Sequence, residues 1–225
     1  VVEALDYKES FRTELESIGY DETFMMNVKE NNDGNFIGVA YNLWGGKAIV
    51  KFDKNGRYLN SISYEQFPNN TTGPISDVIE LETGQFLITI DMNNFNNNES
   101  GYTYICDNNL ENCNRLDLDS MNHPTGKSIF EFNGHYMIIG ASNQTNDGKY
   151  NLYLTEIDSS GNLINNRSIE KQFCNGYYYG VYSDGQTLYV MLSNGGTFEI
   201  LEVTSTEIKT RTIKNDTTDE IYNHI

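Results

Sequence analysis

Three histidines, His123, His135 and His224, are the whole supply of imidazole in this chain, the side chain best suited to acid–base work near neutral pH. They stand at unrelated places. His135 follows a turn glycine and reads as a surface turn residue. His123 lies beside Pro124 in a connection, and His224 is next to last. The sequence has no Gly-x-Ser-x-Gly, no His-Glu-x-x-His and no Gly-x-x-x-x-Gly-Lys, so no known nucleophile elbow, zincin helix or phosphate loop is present. Carboxylates abound, but glycoside hydrolysis needs two of them about 5–10 Å apart across a sugar, and no spacing here assigns such a pair. Residues 143–148, Asn-Gln-Thr-Asn-Asp-Gly, are rich in oxygen. A calcium loop of the EF-hand type wants acids where Asn143 and Thr145 stand, so this stretch reads as a polar connection. No metal and no cofactor is expected.

Sulfur offers a second chemistry. Cys106 and Cys113 flank Asp107-Asn108-Asn109-Leu110-Glu111-Asn112. If that stretch is a hairpin, the two thiols face each other and a disulfide is within reach; the alternative is two buried, inert thiols. Cys174 has no Cys or His at a metal-ligand spacing, which argues against zinc.

Aromatic side chains offer a third, recognition. Trp44 is followed by Gly45 and Gly46, Phe95 is enclosed by asparagines, and Tyr177 and Tyr178 follow Asn175-Gly176. With Phe67 and His123, these residues fall in connections between apolar runs. Flat apolar rings beside Asn, Gln and Asp suit sugars and peptides. The competing reading is that the rings plug gaps inside the fold.

Charge narrows the partners. Lys+Arg is 15 against Asp+Glu 32, a formal net charge of −17 over 225 residues. Such a chain repels phosphate backbones and anionic membrane surfaces. No apolar run approaches the roughly 20 residues of a membrane helix. Val1 in place of a start methionine points to a processed or truncated chain. There are 30 asparagines, 19 glycines and only 3 prolines, with 12% aromatic residues. Aromatics at this level mean a packed core, and Asn with Gly means many turns. Six Asn-x-Ser/Thr sequons, at Asn69, Asn70, Asn98, Asn143, Asn166 and Asn215, are what this much asparagine yields by chance.

These candidates are positioned by a repeat. Four segments align on a glycine that opens an apolar strand: Gly34-Asn-Phe-Ile37, Gly84-Gln-Phe-Leu87, Gly134-His-Tyr-Met137 and Gly185-Gln-Thr-Leu188, at spacings of 50, 50 and 51 residues. Each unit reads as four strands. The first runs over 24–28, 78–81, 129–132 and 179–182; the second follows the glycine. The third runs over 47–52, 102–106, 152–157 and 198–203. The fourth runs over 57–64, 114–118, 162–169 and 207–213. Between third and fourth stand Asp53, Asp107 and Asp158, turn formers whose carboxylates bond the local backbone; the last unit has Thr204 instead. Four strands in about 50 residues is the period of a β-propeller blade. One such sheet cannot bury both faces, and stacked blades cover one another.

The expected fold is therefore all-β: a β-propeller of about four antiparallel four-stranded blades over residues 24–225. Residues 1–23 form an N-terminal extension, a short helix or a lone blade strand. Four blades complete a small propeller or form part of a larger one; a β-sandwich is the structural runner-up. The second-to-third and blade-to-blade connections share one rim, and Trp44, Phe95, His123, Tyr177 and Tyr178 lie on it as candidate ligand-binding residues.

The turn Ile157-Asp-Ser-Ser-Gly-Asn-Leu-Ile164, the Asn and Tyr richness, the acidity and the blade grammar resemble secreted propellers among the surface lipoproteins of Bacteroidetes, some of which accompany outer-membrane importers of the SusCD type. That resemblance implies an extracellular or cell-surface protein, anchored by a lipid at a residue outside this numbering. It implies a non-enzymatic binding or accessory role toward a glycan, peptide or protein partner such as an importer complex. A secreted propeller hydrolase or lyase acting on a glycan is the alternative.

Overall fold

Alternating apolar residues interrupted by Asn, Asp and Gly produce sixteen short strands in the computed structural model, which describes residues 24–42, 45–68, 73–90, 102–116, 125–141, 149–174, 178–194 and 197–213. The first sheet contains β1 (Phe24–Glu30), β2 (Phe36–Asn42), β3 (Gly45–Phe52) and β4 (Tyr58–Ser63), followed by one 3-10 turn, Tyr64–Gln66. The second contains β5 (Ile75–Glu80), β6 (Phe86–Ile90), β7 (Tyr102–Cys106) and β8 (Cys113–Arg115). The third contains β9 (Thr125–Phe132), β10 (His135–Ala141), β11 (Lys149–Ile157) and β12 (Leu163–Cys174). The fourth contains β13 (Tyr178–Ser183), β14 (Leu188–Asn194), β15 (Thr197–Val203) and β16 (Ile208–Ile213). Every sheet is an antiparallel meander in chain order. The chain is a β-propeller, and these are four blades.

The first strands lie side by side, β1 on β5, β5 on β9 and β9 on β13, and β5 also packs across β2 and β3 of the preceding blade. The core is correspondingly divided among blade interfaces. Ile37, Val39 and Ile49 of blade one meet Phe86, Ile88 and Tyr104 of blade two. Leu87 and Ile105 meet Ile129 and Tyr136. Met137, Ile139 and Leu152 meet Leu188, Val190 and Leu201. Blade one's opposite face, with Ala40, Val50 and Phe52, forms a cluster of its own.

Gly34, Gly84, Gly134 and Gly185 occupy matching turns between first and second strands, all at φ between +73° and +88°, where a side chain is costly. The 51-residue spacing has a consequence. The third residue after the glycine faces the following blade at Ile37, Leu87 and Met137, but Leu188 faces the preceding one. One extra residue exchanges the faces of a strand.

Strand boundaries differ from the sequence reading in every blade, most visibly at β9, which begins at Thr125 rather than 129, and β12, which runs to Cys174 rather than 169; two differences in the second blade bear on the packing. The apolar run predicts a strand over 78–81, whereas β5 begins at Ile75 and carries Asp77 in its middle. Asp77 is 2% exposed. Both of its oxygens accept from Lys29 Nζ at 2.9 Å, and the backbone N–H groups of Val78 and Ile129 donate to it at 2.8 Å. Lys29 also donates to the Ile129 carbonyl at 3.0 Å, so one ion pair ties three blades. In the second blade the fourth strand spans Cys113–Arg115 rather than 114–118.

Candidate functional site

The rim of short turns is built from side chains that bond the backbone beneath them. Asp53 accepts the N–H groups of Asn55 and Arg57 at 2.8 Å. Asp107 accepts from Asn109 and Glu111. Asp158 accepts from Ser160 and Asn162, at 2.9 and 2.7 Å, and from the Asn162 side chain. Thr204 takes the same place in blade four, its hydroxyl accepting from Glu207 N–H at 3.0 Å. These bonds hold the aspartates below the usual carboxylate range: through the Arg57 N–H first at Asp53, the Glu111 N–H at Asp107 and the Asn162 side chain at Asp158.

The same turns join neighbouring blades. The Asn32 side chain donates to the Leu81 carbonyl at 3.0 Å, and its backbone N–H donates to the Glu80 carboxylate at 2.6 Å. Lys51 and Asn60 reach the carbonyls of Asn108 and Asn109. Asn133 N–H donates to the Gly185 carbonyl, and Arg167 to those of Thr204 and Ser205. Cys106 and Cys113 face each other across β7 and β8, with Cα atoms 4.0 Å apart and their sulfurs bonded. His135 stands at this rim beside Glu156, Nδ1 3.1 Å from Oε1. Among the described residues, no group of three or more His, Cys, Asp or Glu could hold a metal ion.

The opposite rim receives the second-to-third and blade-to-blade connections. Trp44, between β2 and β3, Phe95, between β6 and β7, His123, before β9, and Tyr177, before β13, lie outside the described residues, as does loop 142–148. Tyr178 opens β13 and pairs with Leu192; its side chain is outside the described set. Phe67 departs from the sequence expectation of a rim ring. It is 4% exposed and stacks at a tilt on Tyr104, with centroids 5.1 Å apart. It plugs the junction of blades one and two because its neighbours there, Ile75, Ile90 and Tyr104, are themselves apolar and buried.

Sequence reasoning missed one feature at this rim. Tyr102, at the start of β7, is half-buried, with the Arg115 guanidinium 4.3 Å from its ring centroid and Tyr104 behind it at 6.3 Å. Tyr104 O–H donates to the Pro68 carbonyl, and Tyr41 O–H to that of Ser76. An aromatic pair with a cation over one ring gives flat apolar surface with adjacent hydrogen-bond donors. The signal was available as the strand register that sets Arg115 beside Tyr104, but that register needed the turn at 107–112 to be placed.

Among the described residues, Asp77 is the buried side chain that carries a carboxyl group. Burial pushes its carboxyl above the ordinary value, and Lys29 pulls it back. Both oxygens are already occupied by donors.

No family model matches the chain, and no curated protein sequence does. Solved structures are similar in fold. The Dos1 propeller superposes with a TM-score of 0.54 at 11% identity, covering 85% of this chain and 48% of that one. Puromycin hydrolase gives 0.50 at 14%, covering 88% and 30%. A protein of Bacteroides fragilis described as exported gives 0.50 at 14%, covering 85% and 51%. The chain thus spans less than a third of the hydrolase and about half of the other two.

Proposed function

We propose that this propeller is a non-enzymatic binding or accessory module at the cell surface, recognising a glycan, a peptide or a partner protein through the rim of long connections. The observation that carries the reading is the division of labour between rims. At the turn rim, Asp53, Asp107, Asp158 and Asn32 are committed to backbone groups. The other rim presents Tyr102 with Arg115 and receives the connections that contain Trp44, Phe95, His123 and Tyr177, with Tyr178 at the start of β13. The Cys106–Cys113 bond supports a location outside the reducing cytosol. A lipid anchor and a place beside an outer-membrane importer belong to the same proposal, on the resemblance described above.

The experiment is a neutral-glycan array and a peptide library probed with the protein and with a Trp44→Ala/Tyr178→Ala variant. Aromatic anchors contribute about 2 kcal/mol or more at true interfaces, so the variant loses at least roughly tenfold in affinity while its melting temperature holds. Unchanged binding rejects this rim. A large loss of thermal stability shows instead that the rings belong to the core.

The alternative, a secreted hydrolase or lyase acting on a glycan, takes its support from the likeness in fold to puromycin hydrolase. Release of reducing sugar from a polysaccharide that the protein binds, abolished by the same variant, would favour it over simple recognition.

A further inference from the structure

The covered faces of the blades follow one rule. The central strands of each blade present apolar residues that the next blade buries completely: Ile37, Val39 and Ile49 under blade two, Leu87 under blade three, Met137, Ile139 and Leu152 under blade four, all at 0% exposure. The fourth blade has such a face as well. Its register places Tyr182, Tyr189 and Glu202 in one row, and Met191, Ile200 and Arg211 in the next, on the side opposite Leu188, Val190 and Leu201. Tyr182 is 64% exposed and its ring lies 6.1 Å from that of Tyr189. Tyr189, Met191 and Ile200 are each partly open to solvent. The charges at the edge of this face are paired: Arg211 Nε with Glu202 Oε1 at 2.7 Å, and Lys209, next to Glu202 in the register, with Glu207 at 2.9 Å.

A sheet that ends a stack of repeats carries a polar outer face. This one carries Tyr189, Met191 and Ile200 on its two central strands, with Tyr182 beside them on β13; in blade one the central strands are the ones on which β5 lies. Solved structures similar in fold are also longer, the chain covering 48% of the Dos1 propeller and 51% of the exported Bacteroides fragilis protein.

We infer that the face of β14 and β15 bearing Tyr189, Met191 and Ile200 is a blade-docking surface, and that its occupant is a fifth four-stranded blade of the same propeller. The fifth blade's first strand lies across β14 and β15 as β5 lies across β2 and β3. The contact is heterologous, each blade offering a different face to each neighbour, which is the type of interface that repeats around a ring.

The test is hydroxyl-radical footprinting of the protein at the length its own cell makes, purified without truncation. Tyr104, fully buried here, is the internal reference for a protected ring. The expected result is that Tyr182, Tyr189 and Met191 label as slowly as Tyr104, a several-fold loss against the 225-residue chain prepared alone. Fast labelling of all three overturns the inference. Protection that disappears on dilution, with a matching fall in sedimentation coefficient, also overturns it, because the cover is then a second copy. A Met191→Asp/Ile200→Asp variant of the same protein supplies a second readout. Carboxylates forced into a blade interface lower its melting temperature, whereas an unchanged melting temperature means that the face is solvated.

Discussion

The two rims of the propeller are built on different principles. The turn rim closes each hairpin with a short segment whose conformation is dictated locally: Asn133-Gly134 at positive φ, Asp53 with Gly56, Asp158 with Gly161. Its side chains then reach sideways to the next blade. The other rim has connections such as residues 91–101 that contain neither Pro nor a repeated Asp-x-x-Gly pattern, and among the described residues beneath it are the rings of Phe67, Tyr102 and Tyr104. A rim whose polar groups are spent on the backbone holds the ring together. Connections that carry no such bonds vary more freely than the elements they join.

Four measurements would break or sharpen this contrast. Phe67 belongs to the rim of long connections but is buried in the core, so Phe67→Ala should cost about 3–5 kcal/mol in urea denaturation. A loss near zero would mean that even the base of that rim is independent of the fold. On the turn rim, Gly161 has φ +86° and a Cβ there would stand 1.9 Å from Ile105 Cδ1 of the neighbouring blade. Gly161→Ala should cost about 2–4 kcal/mol from backbone strain and overpacking together. Adding Ile105→Ala should remove the overpacking and leave the strain. A fully additive double variant would show that the contact is not felt.

Reduction of Cys106–Cys113 tests the turn rim again. Closing this short loop restricts the unfolded chain, and a Cys106→Ser/Cys113→Ser variant should lose about 2–3 kcal/mol. Equal midpoints with and without reductant in the wild type would contradict that. The smallest effect belongs to the turn aspartates. Their carboxyls lie below the ordinary value, so their share of stability is present above about pH 4 and lost as pH falls through the depressed folded value. Asp158→Asn should flatten that acid limb, since the amide oxygen still accepts the two N–H bonds but no longer titrates. An acid limb identical to wild type would show that the bonds at Asp158 do not discriminate charge. Asp77 acts with the opposite sign, because burial raises its pKa: its share of stability is present at low pH and lost as pH rises through the raised value.

Much of the fold was legible in the chain. The four glycines, the Asp-x-x-Gly turns and the alternating runs are local signals, and β7 has the same bounds, 102–106, in the sequence reading and in the structure. Leu110 shows where local signals stop. It takes the place of Gly56 and Gly161 at φ 61°, and its side chain is buried against blade one. Nothing in residues 107–112 announces that exchange, because the partner lies in another repeat. Phe67 under Tyr104 was hidden for the same reason, whereas Tyr102 with Arg115 lies within one blade and was hidden because its register depends on the turn at 107–112.

The sequence by itself determined the number of strands, their order, the turn chemistry and the acidic, aromatic character of the molecule, since each depends on neighbours within a few positions. The tertiary structure alone decided which ring is core and which is surface, that Lys29 and Asp77 meet across 48 residues, and that blade four turns Leu188 rather than Tyr189 toward blade three. The physical reason is that burial is a property of pairs of faces. A strand's alternation says that one side is apolar, but only the packing of a second sheet fixes whether that side is covered, and by what.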